Sequence, residues 1–166
     1  MDADRTGRVE LYFLRHADAG DPMAWDGPDE DRPLSGKGER QAERVARLLG
    51  AVATRPDAVI SSPKLRAFQT ARIVAAEIGL DVAISDRLAD DLDVASLDAL
   101  VEEAGFPLRP LLVGHDPDFS ATVSALVGAD ILVRKGALVR VDADLPLATG
   151  AGELHWLIPP DALKPR

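Results

Sequence analysis

Arg15-His16 and Gly114-His115 each end an apolar stretch of the chain, and a further cation, Arg66, stands three positions after Ser61-Ser62-Pro63. These residue types suit phosphoryl transfer without a metal, which needs a nucleophile, fixed cations around the equatorial oxygens and a way to protonate the departing group. A neutral imidazole can attack phosphorus, and a strand-end placement holds it rigid, so His16 fits the first part. Arginine presents a planar, permanently charged fork that matches phosphate oxygens in bidentate geometry, a match lysine cannot reproduce. Arg15 and Arg66 fit the second part. His115 would bring a second imidazole to the same edge, to hydrogen-bond a phosphoryl oxygen or to stabilise the developing charge.

The elements that must position these groups follow from apolar patterning. Residues 9–14 are mostly apolar strand formers and read as a buried strand with Arg15 and His16 at its tip. Residues 18–32, dense in Asp, Gly and Pro, read as an irregular loop. In 35–49 the apolar positions Ala42, Val45, Ala46, Leu48 and Leu49 recur at helical spacing, which predicts an amphipathic helix closed by Gly50. A short strand at 58–60 leads to a helix capped by Ser62, begun by Pro63 and ended near Gly79. A strand at 82–84, a helix at 96–103, a strand at 111–113, a helix at about 119–126 and strands at 137–141 and 153–158 complete the pattern. Strands alternating with helices predict an α/β fold, an open and largely parallel sheet covered on both faces. Ligands of such sheets bind outside the carboxyl ends of the strands, where Arg15, His16, Ser61, Ser62 and His115 all fall.

A chain of 166 residues, 46% hydrophobic and 28% charged, predicts one globular domain over 1–166, with 1–8 and 159–166 as flexible tails. The net charge of −9 repels nucleic acid and anionic membranes, so any anionic substrate must be held by a local cluster of cations. No apolar run approaches the roughly 20 residues of a membrane span, and residues 1–10 lack the apolar region of a secretory signal. Cytoplasmic residence is the expectation. The absence of cysteine excludes disulfides, thiolate zinc sites and a cysteine nucleophile.

Four motifs stand in register: Leu14-Arg15-His16-Ala17; Leu34-Ser35-x-x-Gly38-x-x-Gln41-Ala42; Ser61-Ser62-Pro63-x-x-Arg66-Ala67-x-Gln69-Thr70-Ala71; and Val113-Gly114-His115. In order and spacing they resemble the histidine phosphatase superfamily, over about residues 9–126. The short chain and Asp31-Arg32-Pro33-Leu34-Ser35 resemble its SixA-type protein phosphohistidine phosphatases. The resemblance implies a phosphoglycerate mutase-like three-layer α/β/α sandwich and a phosphate-binding group of Arg15, Arg66 and His115 around a His16 that becomes phosphorylated. It also implies Arg32 as an extra phosphate contact and no metal or organic cofactor. Ala17 replaces the glycine usual after Arg-His. Where many members carry an acidic proton donor this chain reads Leu88-Ala89-Asp90-Asp91-Leu92-Asp93, so Asp90 or Asp91 could donate.

The expected function is a phosphatase acting on phosphohistidine of a protein partner, the alternatives being a small-molecule phosphomonoesterase and a non-catalytic phosphate-binding module on the same fold. Other charged groups have simpler explanations. The acids between Asp18 and Asp31 do not match a calcium loop and read as a solvated acidic loop. Arg40, Arg44 and Arg47 alternate with Glu39 and Glu43 on one helix, an ion-paired surface rather than a nucleic-acid groove. His155, beside Trp156, reads as a half-buried structural histidine.

Overall fold

The apolar residues segregate by strand alternation into two cores on opposite sides of one sheet. The structure, a computed structural model, describes residues 6–166. Its strands are β1 (Gly7–Arg15), β2 (Ala58–Ser61), β3 (Val82–Ile84), β4 (Pro110–Gly114), β5 (Leu138–Leu145) and β6 (Glu153–Ile158). Its α-helices are α1 (Gly36–Ala51), α2 (Leu65–Ile78), α3 (Val94–Glu103) and α4 (Asp118–Val127). Val9, Leu11 and Phe13 of β1 point to one face and join Leu97, Leu100 and Val101 of α3 and Phe119, Val123 and Leu126 of α4. Tyr12 and Leu14 point to the other and join Val45 and Leu49 of α1 with Ala67, Ala71 and Val74 of α2. Period-2 alternation in a strand buried on both faces thus produces the three-layer α/β/α sandwich. Each fully buried Leu or Phe contributes about 1.5–3 kcal/mol by leaving water.

The strand order is β3-β2-β4-β1-β5-β6. The pairs β1/β4, β2/β4 and β2/β3 are parallel, whereas β1/β5 and β5/β6 are antiparallel. The parallel half is the one predicted. The antiparallel β5/β6 pair has a topological cause: residues 146–152 between the two strands are too few for a crossover, which takes a dozen or more. After α4, residues 128–137 bring the chain back so that β5 begins beside the end of β1, with Leu138 opposite Leu14.

Three local readings differ from the structure. The helix expected from Pro63 starts at Leu65, with Lys64 at its N-cap; Ser62 does not cap it but accepts from the Lys64 N–H at 3.2 Å in a tight turn. Gly50 lies inside α1, against Glu77 of α2, and the helix ends only at Ala51, with Val52 as its C-cap. Of the stretches expected as tails, Gly7 and Arg8 belong to β1, where Arg8 bonds Glu153 at 2.6 Å. Pro160–Leu163 forms a 3₁₀ turn whose Leu163 packs on the α1/α2 core. In both stretches a side chain finds partners remote in sequence. Residues 1–5 lie outside the described residues.

Candidate active site

β1 and β4 run side by side, and beyond their last paired residues His16 N–H still donates to Gly114 O at 2.9 Å. His16 and His115 are thereby neighbours, with ring centroids 5.2 Å apart and both rings buried. Gly114 makes room for this: a Cβ there would lie 2.7 Å from the Phe119 ring. Ser62 N–H donates to Val113 O at 2.9 Å, which brings the end of β2 to the same edge, and Ser62 Oγ lies 2.7 Å from His115 Nε2.

The segment after His16 is held by the residues of the second and third motifs. Asp18 O accepts from Ser35 N–H at 2.9 Å, Asp18 N–H donates to Gln41 Oε1 at 2.9 Å, and Ala17 N–H donates to Thr70 Oγ1 at 3.2 Å. Gln69 Oε1 accepts from Leu34 N–H at 2.8 Å. Gly38 is needed because a Cβ would sit 1.9 Å from Asp18 O. These polar residues therefore serve the backbone that carries His16 rather than a ligand.

A cavity of about 380 Å³ opens over this edge, and Arg15, His16, Arg32, Arg66 and His115 all line it. His16 Nδ1 lies 2.8 Å from Ala17 O; as an N–H it donates there, and the lone pair falls on Nε2. Arg66 Nε stands 3.4 Å from that Nε2. Burial above all, with the charges of Arg66, Arg15 and Lys135, pushes the His16 pKa down to about 3 against the opposing Ala17 hydrogen bond. Burial, then His16, Arg66 and Lys64, likewise lowers His115 to about 3. Arg15 Nη1 donates to Val133 O at 3.0 Å and lies 3.6 Å from Asp116, while its Nε is buried without a hydrogen-bond partner among the described residues. His115 Nδ1 is likewise buried without a partner among the described residues.

Asp29, read from sequence as part of a solvated loop, instead bridges the cations. Its carboxylate accepts from Arg32 Nε at 3.0 Å and Arg66 Nη2 at 2.9 Å, and its carbonyl accepts from Arg66 Nη1 at 2.7 Å. Burial disfavours its ionisation, but the Arg32 hydrogen bond and the Arg66 and Arg32 charges outweigh that and hold the carboxyl below its usual range. The only trace of this in the sequence is the Asp29-x-x-Arg32 spacing. Asp90 and Asp91 reach the cavity wall; Asp90 is engaged by Lys64 Nζ at 2.8 Å, and Asp91 turns the chain with φ of 61°. Lys64 and Lys135 also line the cavity, and no motif marks them. His155 is remote from it and pairs with buried Asp142 at 3.0 Å.

Residues 11–102 match the model of the histidine phosphatase superfamily (branch 1). The chain belongs to that superfamily. An uncharacterized protein of Picosynechococcus sp. is 34% identical to it over 166 residues, covering 95% of this chain and all of that one. The SixA protein histidine phosphatase solved with tungstate superposes with a TM-score of 0.79 at 26% identity, covering 94% of this chain and 100% of the other. A Nakamurella multipartitia protein assigned as a SixA phosphohistidine phosphatase gives 0.78 at 26% identity, over 93% and 97%. Within the superfamily this histidine phosphatase is of SixA type, with the phosphoglycerate mutase-like fold, and its substrate is phosphorylated. Arg15, His16, Arg32 and Arg66 fall inside the matched segment and His115 beyond it.

Proposed function

We propose that this phosphatase hydrolyses phosphohistidine on a protein partner, without a metal, and that His16 carries the phosphoryl group between the two steps. The observation that carries the reading is the state of His16: Nδ1 spent on Ala17 O and a pKa near 3 leave Nε2 neutral at the wall of the cavity. In the first step Nε2 attacks phosphorus, the bond from phosphorus to the substrate imidazole breaks, and that imidazole takes a proton from water. In the second step water attacks the phosphorylated His16, releasing orthophosphate and restoring the neutral ring. Arg15, Arg66 and Arg32 hold the equatorial oxygens, and the unpartnered ring nitrogen of His115 has a hydrogen bond left to make. To let the phosphoryl group in, Arg66 and Arg32 exchange the Asp29 carboxylate for substrate oxygens.

A phosphorylated imidazole is readily displaced, so a dedicated acid matters less for it than for an oxygen leaving group, for which Asp90 or Asp91 would have to donate. Met23, 91% exposed, and Trp25, on the loop whose Pro22 lines the cavity, offer apolar surface to a protein substrate. The likeness to the SixA structure supports the same substrate class. The test is a substrate panel, comparing a phosphohistidine-bearing protein with sugar and nucleotide monophosphates. Preference for the phosphohistidine protein is expected; faster hydrolysis of a small ester would replace this reading with a phosphomonoesterase.

A further inference from the structure

A second cavity, of about 390 Å³, adjoins the phosphoryl pocket and shares Arg15 and Lys135 with it. Its other cations are Lys37, from the first turn of α1, and Arg134, from the segment that leads into β5. That segment is fixed to the site: Gly136 N–H lies 3.1 Å from both Arg15 O and His16 O, and Arg15 Nη1 donates to Val133 O at 3.0 Å. Lys135 is therefore held at the boundary between the cavities, and its charge is one of those that act on His16.

These cations outnumber the carboxylates beside them. The carboxylates on the wall are Asp18 and Asp161. Asp18 accepts from Ser35 Oγ at 2.6 Å and Gly20 N–H at 3.2 Å, and Asp161 is paired with Lys164 Nζ at 2.7 Å. Lys135 and Lys37 act on Asp18, and Lys37 and Arg134 on Asp161, through charge alone, without a hydrogen bond or a close ion pair. Among the described residues, the side chains of Lys37, Arg134 and Lys135 make neither a hydrogen bond nor an ion pair. On a chain of net charge −9, this wall next to the phosphoryl pocket instead carries four cations, Arg15, Lys37, Arg134 and Lys135, against two carboxylates. Such a concave positive wall concentrates an anion where surface lysines spread over the molecule would not.

We infer that Lys37, Arg134 and Lys135 form a second anion subsite contiguous with the phosphoryl pocket, and that the preferred substrate carries another anionic group, a carboxylate or a phosphate, beside its labile phosphoryl group. This rests on the phosphatase reading of the cavity and adds a specificity determinant to it. On a protein the group is a Glu or Asp next to the phosphorylated residue; on a small molecule it is a carboxylate or second phosphate of the same ligand. Leu132, 60% exposed, and Pro160 give the subsite an apolar rim for the part of the substrate that joins the two anions.

The test compares matched substrates on the parent and on the double variant Lys37→Gln/Arg134→Gln, which leaves Arg15, Lys135 and the histidines in place. One arm uses phosphohistidine peptides with Glu or Gln beside the phosphohistidine; the other uses phosphoglycolate against ethyl phosphate. The parent is expected to favour the extra anion by about tenfold in kcat/KM in at least one arm, and the double variant to lose most of that preference while keeping its rate on the Gln peptide or ethyl phosphate. A preference in the small-molecule arm alone keeps the subsite and overturns the protein-phosphohistidine reading. Equal rates within each pair for the parent, or an undiminished preference in the double variant, overturns the subsite whichever substrate class is hydrolysed.

Discussion

The ring of His16, the proposed nucleophile, has two neighbours with opposite demands. The Ala17 carbonyl holds Nδ1–H at 2.8 Å, and Arg66, with Nε 3.4 Å from Nε2, makes protonation of that nitrogen unfavourable. With the His16 pKa near 3, kcat/KM is expected to stay level from about pH 7 to pH 5, with no loss through the ordinary histidine range near 6.5. A pH profile falling tenfold per unit below about 6.5 would contradict this. The same shift fixes the sign of a stability effect. Between their folded pKa near 3 and the unfolded value near 6.5, His16 and His115 bind protons only when unfolded. Stability is then full above about 6.5 and falls with acidification, by up to about 1.4 kcal/mol per pH unit for each histidine. Denaturant titrations should show a shallower slope between about pH 5 and 6.5 in the His16→Asn/His115→Asn variant. Arg66 makes three separate contacts, two to Asp29 and one to His16, that a lysine cannot reproduce. Arg66→Lys should therefore lower kcat/KM by about 10²–10³ with the circular dichroism spectrum unchanged, and kinetics near those of the parent would place the phosphate elsewhere. Alkaline quenching during turnover should leave an acid-labile phosphate on the peptide containing His16. A label on His115 would reverse the roles.

At the level of elements, what locates His16 is the packing of the first turn of α1 against the segment after β1. Gly38 has Asp18 O where a Cβ would be, at 1.9 Å, whereas Gly36 has only the movable end of Arg40 nearby, at 3.5 Å. Gly38→Ala must push the segment away, and is expected to cost about 1–3 kcal/mol of stability together with a large loss of kcat/KM. Gly36→Ala, in the same helix turn, should be neutral or stabilising by up to about 1 kcal/mol with activity retained. Melting curves and steady-state rates on the pair separate positioning from general helix effects; equal behaviour of the two would show that the contact does not govern the site.

Across the whole molecule the sheet gathers the site at one edge. β1, β2 and β4 end together there, and the return of the chain before β5 adds Val133 and Lys135 to the group. The proposed phosphoryl ligands are all arginine or histidine, and no cluster of three or more His, Cys, Asp or Glu that could hold a metal occurs among the described residues. Activity and melting temperature are expected to be unchanged in excess EDTA. Loss of activity restored by a divalent ion would refute the metal-free mechanism. No helix among the described residues is long and apolar enough to cross a membrane.

Strand and helix positions and the polar residues at the strand tips could be read from the sequence because each depends on local information, whereas the meeting of Arg66 with Arg15, His16 and His115 was implied by the resemblance of the four motifs to a known family. Alternating apolar residues set which face of β1 is buried, and each polar residue at a strand tip follows directly from the strand before it. Gln41, Gln69 and Thr70 could be recognised as motif members, yet their work of holding residues 17, 18 and 34 appears only when α1 and α2 pack beside β1. The antiparallel edge, and with it the place of Lys135, was decided by how residues 128–137 cross back over the molecule. Asp29 is the clearest case. Its carboxylate meets Arg66 across 37 positions of sequence, and composition could show only one more acid in an acidic loop. A periodic pattern records whether a side chain is buried, but the effect of a charge depends on which charges lie within a few ångströms, and those neighbours are chosen by the packing of distant segments.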